Sequence, residues 1–81
     1  MSITVRLFAS LRDIVGESEV ILEFEGQSTT REVFEQLGTK FPGLKRYEPV
    51  VLIAVNQEYG DWEQSIAAGD EVAFFPPVSG G

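Results

Sequence analysis

The residues of this 81-residue chain best suited to chemistry stand at its end, in Phe74-Phe75-Pro76-Pro77-Val78-Ser79-Gly80-Gly81. A closing Gly-Gly pair arises by chance about 0.5% of the time when glycine makes up ~7% of residues. Most chain ends are frayed and without a role. Here Pro76 and Pro77 stiffen the exit, so the tail is expected to project rather than fold back. Residues 76–81 reach up to ~19 Å when extended, against a radius of gyration of about 12 Å for a domain of this size. Such a tail reaches deep into a pocket of another protein. Gly80 and Gly81 have no side chains, so they fit a narrow channel and take backbone angles closed to other residues. The reacting group is then the α-carboxylate of Gly81, ionised at neutral pH with an ordinary pKa near ~3.5. A carboxylate is a poor electrophile and needs activation as a mixed anhydride with AMP. Neither G-x-x-x-x-G-K-[ST] nor G-x-G-x-x-G occurs in the chain, so ATP is expected to bind on a separate activating enzyme.

A projected tail needs a base. Residues Ser2 to Ala9 alternate, with Ile3, Val5 and Leu7 opposite Thr4, Arg6 and Phe8, the pattern of a strand. Leu11 to Val15 fits one helical turn stopped by Gly16. Glu19 to Phe24 alternates again and is expected to pair with the first strand. Thr29-Thr30-Arg31-Glu32 reads as a capping box, and Val33, Phe34, Leu37 and Phe41 behind it share one helical face. Gly38 weakens the last turn, and Pro42-Gly43 ends the helix. Val50 to Val55 is an unbroken apolar run, expected to be a central strand covered on both sides. Asn56-Gln57-Glu58 is turn-like, Tyr59 to Trp62 is a short strand or irregular return, and Gly69-Asp70 is a second turn. Glu71 to Phe75 is the final strand, stopped by Pro76-Pro77.

The order predicts an α+β fold, with one helix packed across a small mixed sheet. The first and last strands lie parallel and adjacent at its centre. That arrangement is the ubiquitin-like β-grasp, over residues 1–75, followed by a tail over 76–81. The expected core is Ile3, Val5, Leu7, Val20, Leu22, Phe24, Val33, Leu37, Phe41, Leu52, Ala54, Val72 and Phe74. About a dozen such side chains, at ~1.5–3 kcal/mol each, suffice for a marginal independent fold. Strand parity then turns Phe8 and Phe75 to the open side, where they form an exposed aromatic patch at the root of the tail. Such patches usually meet a partner, unless Tyr59, Trp62 or a loop covers them. Asp70 and Glu71, with Asp61 and Glu63, form a weaker candidate cluster for basic partner residues.

Composition narrows the function further. The chain has no Cys and no His, which removes thiol nucleophiles, disulfides, cysteine zinc sites and the commonest general base. No metal site is expected, and a self-sufficient enzyme of this size is not. Six basic against 13 acidic residues give a net charge of -7, which opposes binding to nucleic acid or anionic membrane. Val50 to Val55 is far short of the ~20 apolar residues of a membrane helix. Met1-Ser2-Ile3-Thr4-Val5 lacks a signal-peptide pattern, so a cytoplasmic location is expected.

The chain as a whole resembles the small subunit of molybdopterin synthase, a family of β-grasp sulfur carriers. The resemblance rests on Val5-Arg6-Leu7-Phe8-Ala9, Leu11-Arg12, Val15-Gly16, Ala54-Val55-Asn56-Gln57 and the run Gly69 to Gly81. Phe-Phe-Pro-Pro-Val-Ser-Gly-Gly is its specific part, and residues 25 to 50 add little. The resemblance implies that an adenylyltransferase similar to ubiquitin-activating enzymes adenylates Gly81. A sulfur donor then converts the adenylate to a thiocarboxylate. It further implies that Pro76, Pro77, Val78, Ser79 and Gly80 thread into a large catalytic subunit. There the tail gives its sulfur to cyclic pyranopterin monophosphate, in a heterotetramer of two large and two small subunits. A dithiolene needs two sulfurs, so two carriers serve each product. Carriers for thiazole or tRNA thiolation share the activation chemistry, and a ubiquitin-like modifier would instead end in an isopeptide bond to target lysines.

Overall fold

The computed structural model describes residues 1–77. Strand β1 (Ser2–Leu7) leads through helix α1 (Ala9–Val15) to strand β2 (Glu19–Glu23). The two strands pair antiparallel, with Val5 opposite Val20 and Ile3 opposite Leu22. Gly16 closes α1 at φ 89° and its N–H donates to the Arg12 carbonyl at 2.7 Å, a left-handed cap that glycine takes without steric cost.

Strand β3 (Ser28–Thr29) runs directly into helix α2 (Thr30–Lys40). The capping box forms as the sequence predicts. The Thr29 N–H donates to Glu32 Oε1 at 3.1 Å, and Thr29 Oγ1 accepts from the Glu32 N–H at 3.4 Å. The loop before strand β6 (Ser65–Ile66) covers the same helix end, because Thr30 and Arg31 donate their N–H groups to the Gln64 and Trp62 carbonyls. β3 and β6 pair as a separate two-stranded ribbon. Two-residue strands carry no periodicity, so the sequence marks neither.

A 3₁₀ segment (Pro42–Tyr47) follows, then strands β4 (Leu52–Val55), β5 (Glu58–Tyr59) and β7 (Glu71–Phe75). The main sheet has the order β2-β1-β7-β4-β5. Its central pair, β1 and β7, is parallel, with Val5 opposite Val72 and Leu7 opposite Phe74. This is the ubiquitin-like β-grasp. Among the described residues no helix is long and apolar enough to cross a membrane.

The core lies between this sheet and α2. Ile3, Val5, Leu7, Leu22, Val72 and Phe74 meet Val33, Phe34 and Leu37 there, with Leu11 and Leu44 closing the ends. Val20, Phe24 and Phe41 pack against it only half-buried. The expectation for β4 is corrected. Ile53 and Val55 face the core, opposite Phe74 and Val72, whereas Leu52 is 38% exposed and pairs with Phe75 on the other face with Ala54. The strand is also shorter than the apolar run, and Val50 is exposed. Val50 and Val51 donate their N–H groups to the Tyr47 carbonyl and so belong to the end of the 3₁₀ segment rather than to the ladder.

Candidate functional site

The face of the sheet away from α2 carries the candidate site. Leu7 and Phe74 are register partners, so the next residues, Phe8 and Phe75, leave their strands side by side. Their rings stack with centroids 4.5 Å apart and planes 12° from parallel, an arrangement aromatic pairs favour. Phe8 is 36% exposed and Tyr59, on the neighbouring hairpin, is 83% exposed. With Arg6, Ala54, Gln57, Glu71 and Ala73 they line an open concavity of about 380 Å³. Leu52 extends the apolar surface, since its register partner is Phe75. The floor is made of Ala54 and Ala73, which are opposite one another in the ladder. Their small side chains are what makes the surface concave.

Phe8 and Phe75 are thus brought together as the sequence predicts, and Trp62 does not cover them. Its indole packs on the core side, with its centroid 5.4 Å from that of Phe34 and 6.5 Å from that of Phe74. Pro76 and Pro77 follow the last residue of β7 outside the ladder. Val78, Ser79, Gly80 and Gly81 lie outside the described residues.

The start of β7, the strand that carries the tail, is anchored by side chains whose role the sequence did not reveal. Asn56 and Gln57 adopt φ 50° and 72°, both left-handed, as a two-residue hairpin turn of the I′ type requires. From that turn the Asn56 amide donates to Asp70 Oδ1 at 3.1 Å and accepts from the Glu71 N–H at 3.0 Å. Asp70 Oδ2 accepts from the Ala67 N–H at 2.7 Å. Together these bonds tie the β4–β5 turn to the start of β7. Donation from the Ala67 N–H, and secondarily from Asn56, holds the Asp70 carboxyl below its usual pKa of 3.8. The pairing of an Asn-x turn with Gly-Asp fourteen residues later was the available signal.

The acids of the candidate cluster all make local contacts. Asp61 accepts from the Glu63 N–H, Glu63 binds the Arg31 guanidinium, and Glu71 faces Arg6. Glu63 and Glu71 each face a cation, whereas Asp61 and Asp70 accept only from uncharged N–H groups and keep their charge.

The pattern of the ThiS family matches residues 5–81. The chain belongs to the ThiS family. Within it, the molybdopterin synthase sulfur carrier subunit of Arabidopsis thaliana is 36% identical, over 100% of this chain and 84% of that one. The crystal structure of small archaeal modifier protein 1 from Haloferax volcanii superposes with a TM-score of 0.85 at 31% identity, covering 100% of both chains. The complex of subunits 1 and 2 of the molybdopterin-converting factor from Helicobacter pylori contains a similar chain, with a TM-score of 0.70, 26% identity and full coverage of both. The ThiS-family likeness therefore includes both the β-grasp base and the segment that follows it.

Proposed function

We propose that this ThiS-family chain is the sulfur carrier subunit of a molybdopterin synthase. The full-length likeness to sulfur carrier subunits of that name carries the reading. The geometry supports it with an exposed aromatic stack at the foot of the segment that must enter a partner. Phe8 and Phe75 are the docking anchors, and Pro76 to Gly80 thread behind them.

In this reading the chain brings a position and a carboxylate, and its partners bring the catalysis. An adenylyltransferase similar to ubiquitin-activating enzymes binds ATP. The Gly81 carboxylate oxygen attacks the α-phosphorus, releasing pyrophosphate. Sulfur released by a donor at the sulfide level then attacks the acyl carbon and displaces AMP, leaving a thiocarboxylate. In the large subunit that sulfur bonds to a carbon of cyclic pyranopterin monophosphate, and water hydrolyses the resulting thioester, so the sulfur stays with the pterin and the carrier returns as carboxylate. Two carriers complete each dithiolene, in a synthase of two large and two small subunits located in the cytoplasm. The complex of two converting-factor subunits from H. pylori supports the large-subunit partner.

The test is mass measurement and reconstitution. A loaded carrier gains the mass of one oxygen-to-sulfur exchange and yields molybdopterin with the large subunit. Deleting Gly81, or adding one residue after it, abolishes product while the circular dichroism spectrum stays unchanged. Full activity in either variant would end the proposal. The likeness to small archaeal modifier protein 1 favours a second reading, conjugation to lysines. That reading predicts recovery of the chain attached to other proteins. A carrier for thiazole or tRNA thiolation would load identically and fail only with this acceptor.

A further inference from the structure

Arg6 is out of keeping with the face around it. It lies on β1 beside Ala73 of β7 and lines the concavity with Phe8, Tyr59 and Phe75. Its guanidinium carbon stands 6.0 Å from the centroid of the Phe8 ring, within the range of a cation–π contact. The nearest acid is Glu71, with Arg6 Nη1 3.8 Å from Oε2. That is an ion pair without a hydrogen bond. Among the described residues the guanidinium therefore has a neighbouring charge but no acceptor for its five N–H donors. In the free carrier water serves them, since the Arg6 side chain is 46% exposed.

A protein seated on Phe8 and Phe75 necessarily covers Arg6, because all three line the same hollow. Covering removes the water, and buried donors without acceptors are costly. Glu71 offsets the charge at 3.8 Å yet leaves the donors unmet. Resting on the docking face proposed above, we infer that the large subunit presents a carboxylate to Arg6. A carboxylate matches the planar guanidinium fork with two parallel charge-assisted bonds, stronger than those a neutral carbonyl accepts. The acidic carrier, at net charge -7, otherwise suits a basic partner. One acid set against Arg6 reverses that complementarity at a single point, which fixes the orientation of docking and rejects partners basic throughout.

The experiment is calorimetric titration of the cognate large subunit with the full-length carrier and its variants. Arg6→Leu is expected to weaken binding at least ~10-fold, and Arg6→Glu at least ~10-fold more, as like charges meet. The double variant Arg6→Leu with Glu71→Gln must stay as weak as Arg6→Leu alone, which shows that a stranded Glu71 is not the cause. Unchanged or tighter binding by Arg6→Leu overturns the inference, as does tighter binding by Arg6→Glu or recovery in the double variant. Phe75→Ala serves as the separate control. If it loses affinity while Arg6→Leu does not, the docking face stands and the carboxylate falls. If both keep full affinity, the docking face itself is wrong.

Discussion

Phe74 and Phe75 are neighbours in sequence and opposites in role. Phe74 is fully buried, with its ring edge-on to Phe34 at 5.0 Å. Phe75 stacks on Phe8 in the open. Phe74→Ala leaves a core cavity and should cost ~3–5 kcal/mol. Phe75→Ala should lower thermal stability much less and weaken binding of the large subunit by more than ~1 kcal/mol, as lost aromatic anchors do. Denaturant melts beside binding titrations decide it; the reverse pattern would invert the facing of β7. Asp70 gives a second prediction at this scale. Its folded pKa lies below 3.8, so its contribution to stability is complete above that pH and is lost as pH falls through the lowered folded value. The difference in melting temperature between the native chain and Asp70→Asn should be largest near neutrality and should shrink on the acid side of pH 3.8. A difference that stays constant into strong acid would show that the carboxylate charge plays no part.

At the scale of elements, what was legible followed from periodicity and punctuation. β1 and β2 alternate, Thr29 to Glu32 spell a capping box, and Pro76 stops β7 where the sequence says it must. Phe8 could be placed on the open face because β1 alternates, and Phe75 joins it once Val72 and Phe74 are taken to face the helix. β4 could not be read in this way: Val50 to Val55 is apolar at every position, so nothing marks which side is buried, and a slip of one residue exchanges the faces. The register with β7 decides it, through contacts that no local pattern encodes. The tie from Asn56 to Asp70 shows in the sequence only as two separate turn signals, because the β4–β7 pairing that brings the turns together is not written in either of them. Ile53→Ala should therefore cost ~2–5 kcal/mol, whereas Leu52→Ala, on the open face, should cost well under half of that. Equal losses in chemical denaturation would contradict the observed parity.

In the proposed function the molecule as a whole is a base that presents one segment to two different proteins in turn. Each visit carries the entropy of ordering that segment. Pro76 and Pro77 restrict it beforehand, lowering the loss by ~0.4–1 kcal/mol per residue. Replacing both by Gly should raise KM for the carrier in steady-state adenylation and leave kcat nearly unchanged, the signature of lost uniform binding. An unchanged KM would confine the two prolines to stopping the strand.

The sheet order β2-β1-β7-β4-β5 has a consequence for how the carrier is made. β7 is the last strand to leave the ribosome, yet it sits between the first strand and β4. Until Phe75 has emerged, β1 and β4 have nothing to join them, and the half-built sheet exposes two unpaired edges. Pairings such as Leu7 with Phe74 span nearly the whole chain, a topology that folds slowly because the loop must close before its contacts form. Completion is correspondingly all-or-none. A chain cut short before Phe75 lacks the centre of its sheet and is left to proteases, so only an intact carrier has a tail to offer.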